Sequence, residues 1–217
     1  MEKIDYKKEY KDIYMPPKTP TFIDVPEITY IMVDGKGDPN TSEEYKEAME
    51  ILYGLSFTIK MSKMKGNTPE GYFDYVVPPL EGLWWIDKTN FDGLNITDKS
   101  EFKWTSMIRQ PEFVTEEVYK WACQELKNKK PDINLSKTRL ETLKEGKCVQ
   151  IMHIGPYDTE PESINKINEY IKENNLKDAI GDTYETGQIK KHHEIYLGDP
   201  RRTKPENLKT VIRHPVK

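Results

Sequence analysis

The order of structural signals along the chain occurs twice, and this repetition constrains the fold more than any single motif does. Residues 30–86 read as strand, glycine turn, capped helix, long connection and two strands. Residues 148–216 read in the same order. A strand-helix-strand-strand unit leaves one sheet face and one sheet edge uncovered. Two such units related by a pseudo-two-fold axis cover each other and leave a cleft between them. The expected fold class is α+β: two fused strand-helix-strand-strand modules in pseudo-two-fold arrangement with a central ligand cleft. The first module spans about 21–110 and the second about 111–217. Residues 1–20 are polar, with Pro16, Pro17 and Pro20, and read as an N-terminal arm rather than a core element.

Local patterns supply the elements. Residues 21–34 carry Phe22, Ile23, Val25, Ile28, Tyr30, Ile31 and Val33, an extended segment broken at Pro26. Gly35, Gly37 and Pro39 turn the chain. Thr41 and Glu44 have the spacing of a capping box, and the helix after them carries Tyr45, Ala48, Leu52 and Leu55 on one face. Residues 72–77 alternate as a strand, and 83–86 and 102–108 as two more. Residues 90–100 read as a loop and 115–129 as a helix. In the second half, 148–154 is a strand ended by Gly155 and Pro156. Thr159 and Glu162 repeat the capping spacing before a helix with Ile164, Ile167 and Ile171 buried. Residues 192–197 and 209–216 are the closing strands.

Composition excludes several classes. With 35% hydrophobic and 32% charged residues, the 217-residue chain has the profile of a soluble globular protein. No apolar run approaches the ~20 residues that cross a bilayer. The charged start has no apolar stretch to act as a secretion signal, so a cytoplasmic location with no membrane partner is expected. A net charge of −4 argues against a nucleic-acid partner. The basic cluster of Lys190, Lys191, Arg201, Arg202 and Lys204 reads as a solvated edge. Two cysteines, Cys123 and Cys148, make no disulfide framework and read as small core residues. No Cys or His spacing matches a zinc pattern, and His192 and His193 point to opposite strand faces, so no metal and no cofactor is expected.

Four segments, in order, resemble one family. His153-Ile154-Gly155-Pro156-Tyr157-Asp158 before a helix, and the run from His193 to Arg202, resemble GyrI-like small-molecule-binding domains. The run from Asp34 to Asn40, and Pro78-Pro79-Leu80-Glu81-Gly82-Leu83-Trp84-Trp85, resemble a stand-alone subgroup of that family. The resemblance covers about residue 21 to the C-terminus. It implies a ligand cleft between the modules. It also implies one of three activities: hydrolysis of the strained cyclopropane of DNA-alkylating natural products, sequestration of aromatic or cationic drugs without turnover, or antagonism of gyrase toxins. No helix-turn-helix segment precedes the fold, so the transcription-activator role of some relatives does not carry over.

The resemblance points to one carboxylate, and the surrounding residues supply the other candidates. Glu194, on the strand face shared with His192 and Tyr196, is the expected ligand-facing carboxylate, and an apolar cleft would raise its pKa. Tyr157, after the glycine-proline turn, would hydrogen-bond a conjugated ligand carbonyl. Glu81, Trp84, Trp85, Trp104, Tyr196 and His153 complete the expected ligand contacts. Trp84 and Trp85 are adjacent in a strand, so only one of them can face the cleft. The expected partner is a planar aromatic or cationic small molecule, with a homodimer left open.

Overall fold

The computed structural model describes residues 3–87, 91–94 and 98–217. Six antiparallel strands form a closed barrel: β1 (Thr21–Lys36), β2 (Leu80–Trp85), β3 (Lys103–Arg109), β4 (Thr138–Ile154), β5 (His192–Tyr196) and β6 (Lys209–Pro215). Their order around the barrel is β1-β3-β2-β5-β6-β4. The helices are α1 (Tyr6–Glu9), α2 (Lys11–Tyr14), α3 (Glu43–Lys60), α4 (Glu116–Lys129) and α5 (Glu160–Glu173).

The strand order makes the duplication explicit. Module one is β1-α3-β2-β3 and module two is β4-α5-β5-β6. Each places its third strand between its first and second, and the modules meet where β2 pairs with β5 and β1 with β4. The residues that follow β1 and β4, Gly37 (φ 96°) and Gly155 (φ 143°), both hold backbone angles that suit glycine and start the two crossings to helices. Helix α3 packs on β1 and β3, and α5 on β4 and β6. The seam strands β2 and β5 pair between the two modules, and their outer face carries Trp84, His192, Glu194 and Tyr196.

Several local expectations are revised. Residues 72–77 form no strand; a single bridge links Tyr75 to Ile4. The rings of Phe73, Tyr75 and Phe113 instead pack together, and Pro78-Pro79 offers no ladder donors. Pro26 does not break β1: the pairing with β4 runs past it from Val25 to Glu27. The N-cap of α3 is Ser42, not Thr41, with its hydroxyl accepting from the Tyr45 N–H. Thr159 precedes α5 without capping it; its hydroxyl donates to the Pro156 carbonyl, and Pro161 occupies the first turn. Of the expected loop at 90–100, residues 90 and 95–97 lie outside the described residues.

The first 20 residues are more than an arm. Tyr6, Ile13 and Tyr14 are buried. The Tyr14 hydroxyl donates to Glu81 at 3.3 Å, and the Ile13 carbonyl accepts from Arg213 at 3.0 Å. Both partners belong to the inner face of the barrel, which is polar at this level. Glu81 also accepts from Tyr30 at 3.3 Å and contacts His193 at 3.1 Å. His193 reaches Glu145 at 2.9 Å, and Arg213 reaches Glu145 at 2.8 Å and Gln150 at 2.9 Å. Buried charges persist only when paired in this way. The short helices α1 and α2 close the network against water.

Candidate functional site

Alternation along β5 sends His193 and Ile195 into the barrel and His192, Glu194 and Tyr196 to the outer face. Register puts Gly82 of β2 opposite Glu194, Leu80 opposite Tyr196 and Trp84 opposite His192. A Cβ at Gly82 would stand 2.7 Å from Trp84 Nε1 and 3.3 Å from the Tyr196 hydroxyl. The missing side chain lets the indole cross the seam: Trp84 Nε1–H donates to the Tyr196 oxygen at 2.8 Å. Tyr196 donates in turn to Glu194 Oε2 at 2.6 Å.

The other carboxylate oxygen of Glu194 lies 2.8 Å from His192 Nε2, and His192 Nδ1 lies 2.8 Å from His214 Nε2. An ionised carboxylate only accepts, so His192 Nε2 carries a proton, and one hydrogen bond joins its Nδ1 to His214. Burial holds the His214 imidazole far below its usual range, neutral. Five side chains thus form one line, Trp84–Tyr196–Glu194–His192–His214. Its central carboxylate is 15% exposed.

The electrostatics of Glu194 reverse the expectation. Burial alone would raise its carboxyl, but the hydrogen bonds from His192 and Tyr196 outweigh it, and the group titrates below the ordinary carboxylate range. Glu194 is therefore an anion at neutral pH, able to take a proton or face a cation.

Aromatic rings wall this floor. From α3, Tyr45 lies 6.1 Å from the Trp84 ring and packs edge-on to Trp104 at 5.0 Å. Tyr157, 38% exposed, stands edge-on to Tyr196 at 6.0 Å. Burial, then Glu160 and Glu194, pushes its phenol up to about 12. Phe102 backs Trp84 at 5.6 Å, and Phe91 covers His192 at 5.8 Å.

Of the expected residues, the structure gathers Glu194, Tyr196, Trp84 and Tyr157. Trp104 is fully buried behind Tyr45. His153 lies on the same sheet face, beyond Thr210, held by Ser163 Oγ at 2.9 Å and the Pro156 carbonyl at 3.2 Å. Burial lowers its imidazole. Glu81 and Trp85 are elsewhere. Glu81 is inside the barrel, and the Trp85 ring faces the opposite side, with Lys191 Nζ 3.3 Å above it. Between the adjacent tryptophans, the structure selects Trp84. Tyr45, His192, His214 and Glu160 join the site without having been singled out. His192 was legible from its shared strand face and Tyr45 from its helical stripe; the other two carry no local signal. Among the described residues, no group of three or more His, Cys, Asp or Glu is placed to hold a metal. No described helix is long and apolar enough to cross a membrane.

Known proteins share this fold. The family model of the GyrI-like small molecule binding domain matches residues 18–217. A crystal structure described as a hydrolase from Listeria innocua is 45% identical, covers 99% of this chain and all of its own, and superposes with a TM-score of 0.86. A second Listeria innocua structure, described as an uncharacterized conserved protein, is 46% identical with a TM-score of 0.89, covering 99% of this chain and all of its own. The EcmrR C-terminal domain shares the fold at 11% identity and a TM-score of 0.52, over 92% of this chain and 97% of that one. No curated protein matches the chain. With the family's pattern running from residue 18 to the last residue, the chain belongs to the GyrI-like small-molecule-binding domain family.

Proposed function

We propose that this protein is a hydrolase that opens the cyclopropane of planar, DNA-alkylating toxins and so protects the cell. The single observation that carries the reading is a largely buried Glu194, gripped by two donors and set among the rings of Tyr196, Trp84 and Tyr157 at the module seam. Relatives described as hydrolases, 45% identical over nearly the whole chain, support it.

The chemistry asks little of the protein, because ring strain already activates the substrate. Trp84, Tyr45 and Tyr157 hold the planar body. Glu194 takes a proton from a water molecule as the water oxygen attacks the cyclopropane carbon. The ring C–C bond breaks, and its electron pair flows to the conjugated carbonyl oxygen. Tyr157 lies at the cleft wall where it can hydrogen-bond that oxygen. The proton gained by Glu194 passes to solvent once the product leaves, and the His192 ring that orients the carboxylate is in turn held by His214. Incubation with a spirocyclopropyl dienone, followed by mass spectrometry, tests the reading. Expected is ring opening well above the buffer rate, reduced about 100-fold or more in Glu194→Gln. Ring opening at the buffer rate by the wild-type protein defeats it.

One observation favours a second reading, drug binding without turnover. Both Glu194 oxygens already accept hydrogen bonds, which makes the group a weak base but a good partner for a cation among aromatic faces. Tryptophan quenching by a cationic aromatic compound, fully reversed on dialysis with the compound recovered intact, is its signature.

A further inference from the structure

A second carboxylate belongs to the cleft. Glu160, in the first turn of α5, is 7% exposed, and its Oε1 has no hydrogen-bond partner among the described residues. Thr210 on β6, also buried, is its hydroxyl neighbour. Thr210 pairs across the ladder with Tyr196 of β5, so this corner adjoins the Glu194 floor. The groups facing Glu160 are Glu194 from β5, Thr210 from β6, Asp158 and Tyr157 from the preceding turn, and Lys99. Three of these are anionic or acidic groups and one is a cation.

A buried carboxylate beside another carboxylate cannot stay ionised cheaply. Burial first, and Glu194 second, raise the Glu160 carboxyl far above its ordinary range, although a helix N-terminus favours the anion. The two carboxyls are thus pushed apart in opposite directions by their surroundings. Such a split is the usual arrangement of an acid and a base in one site.

We propose that Glu160 is the acid of the cleft, delivering a proton to the ligand oxygen that collects charge while Glu194 removes one from water. The inference rests on the hydrolase reading and completes its proton balance. Water adds its oxygen to the ring carbon, the C–C bond breaks, and the carbonyl oxygen leaves as a phenol bearing the Glu160 proton. Glu194 ends protonated and Glu160 ionised. Transfer of one proton from Glu194 to Glu160 through solvent restores both. Tyr157, with its phenol near 12, polarises the carbonyl but surrenders its own proton reluctantly.

Three variants, Glu160→Gln, Glu160→Asp and Glu160→Ala, test the assignment on the same spirocyclopropyl dienone, with near-ultraviolet circular dichroism and tryptophan quenching as controls of fold and binding. The wild-type rate is expected to fall on the acid side as Glu194 protonates and on the alkaline side as Glu160 ionises. Glu160→Gln should bind the compound as the wild type does, lose about 100-fold in kcat with KM little changed, and lose the alkaline limb. Glu160→Asp should recover part of the rate, and Glu160→Ala none. Wild-type turnover with Glu160→Gln unchanged in kcat and in its alkaline limb overturns the acid role and leaves the hydrolase reading standing. A wild-type protein without turnover defeats both.

Discussion

At the scale of single residues, the site depends on a side chain that is absent. Gly82 lies opposite Glu194 at the module seam, and only a hydrogen there lets the Trp84 indole reach Tyr196. In Gly82→Ala, the added methyl would meet Trp84 Nε1 at 2.7 Å, so the ring must swing away. Strand backbone tolerates alanine, and the melting temperature should shift by only a few degrees. Ligand binding should weaken at least about tenfold, the loss of one well-aligned hydrogen bond and its ring contact. A fluorescence titration checks this; unaltered affinity in the variant would disconnect the seam glycine from the site. Strand alternation and motif resemblance, both local properties, singled out Glu194, Tyr196 and Trp84, which the structure joins by hydrogen bonds. It misplaced Glu81 and the direction of the Glu194 shift. Both depend on what lies across the barrel: Tyr14, Tyr30 and His193 around Glu81, and the second donor, His192, on Glu194.

At the scale of elements, the helix start is the informative case. Two hydroxyls, Thr41 and Ser42, precede α3, and spacing alone favours Thr41. The structure uses Ser42, which binds the Tyr45 N–H at 3.3 Å and so sets the ring that walls the cleft. Ser42→Ala should cost about 1 kcal/mol, and Thr41→Ala close to nothing. For a chain of this length that separates the two melting temperatures by about 2–4 °C. Equal melting temperatures for the two variants would contradict the cap. The terminal helices α1 and α2 teach a related lesson. Their sequence is polar and proline-flanked, yet they bury Tyr6, Ile13 and Tyr14 because the barrel end offers buried partners for one hydroxyl and two carbonyls.

At the scale of the whole molecule, the polar barrel core makes stability depend on pH in a defined direction. Burial would raise Glu145, but His193 and Arg213 hold it down to about 2. Its contribution is complete above its unfolded value of 4.5 and is lost as pH falls from there toward 2. Burial would lower His193, but Glu145 and Glu81 hold it up to about 9. Its contribution is complete below its unfolded value of 6.5 and is lost as pH rises from there through 9. The melting temperature should therefore peak between about pH 4.5 and 6.5 and decline on both sides. A melting temperature still climbing between pH 6.5 and 9 would rule out a charged His193 in the core.

The sequence by itself determined the duplicated order of elements and which residues share each strand face, while the choice of Glu194 came from its resemblance to a family motif. The order and the faces follow from periodicities of two and 3.6 residues, which every segment carries within itself. Only the tertiary structure decided which of two neighbouring tryptophans joins Tyr196 and Glu194, that Glu81 belongs to the barrel core, and that Glu160 shares a corner with Thr210 and Tyr196. Those outcomes depend on the register across the β2–β5 seam and on where α5 begins, and register is fixed by contacts between segments more than 100 residues apart.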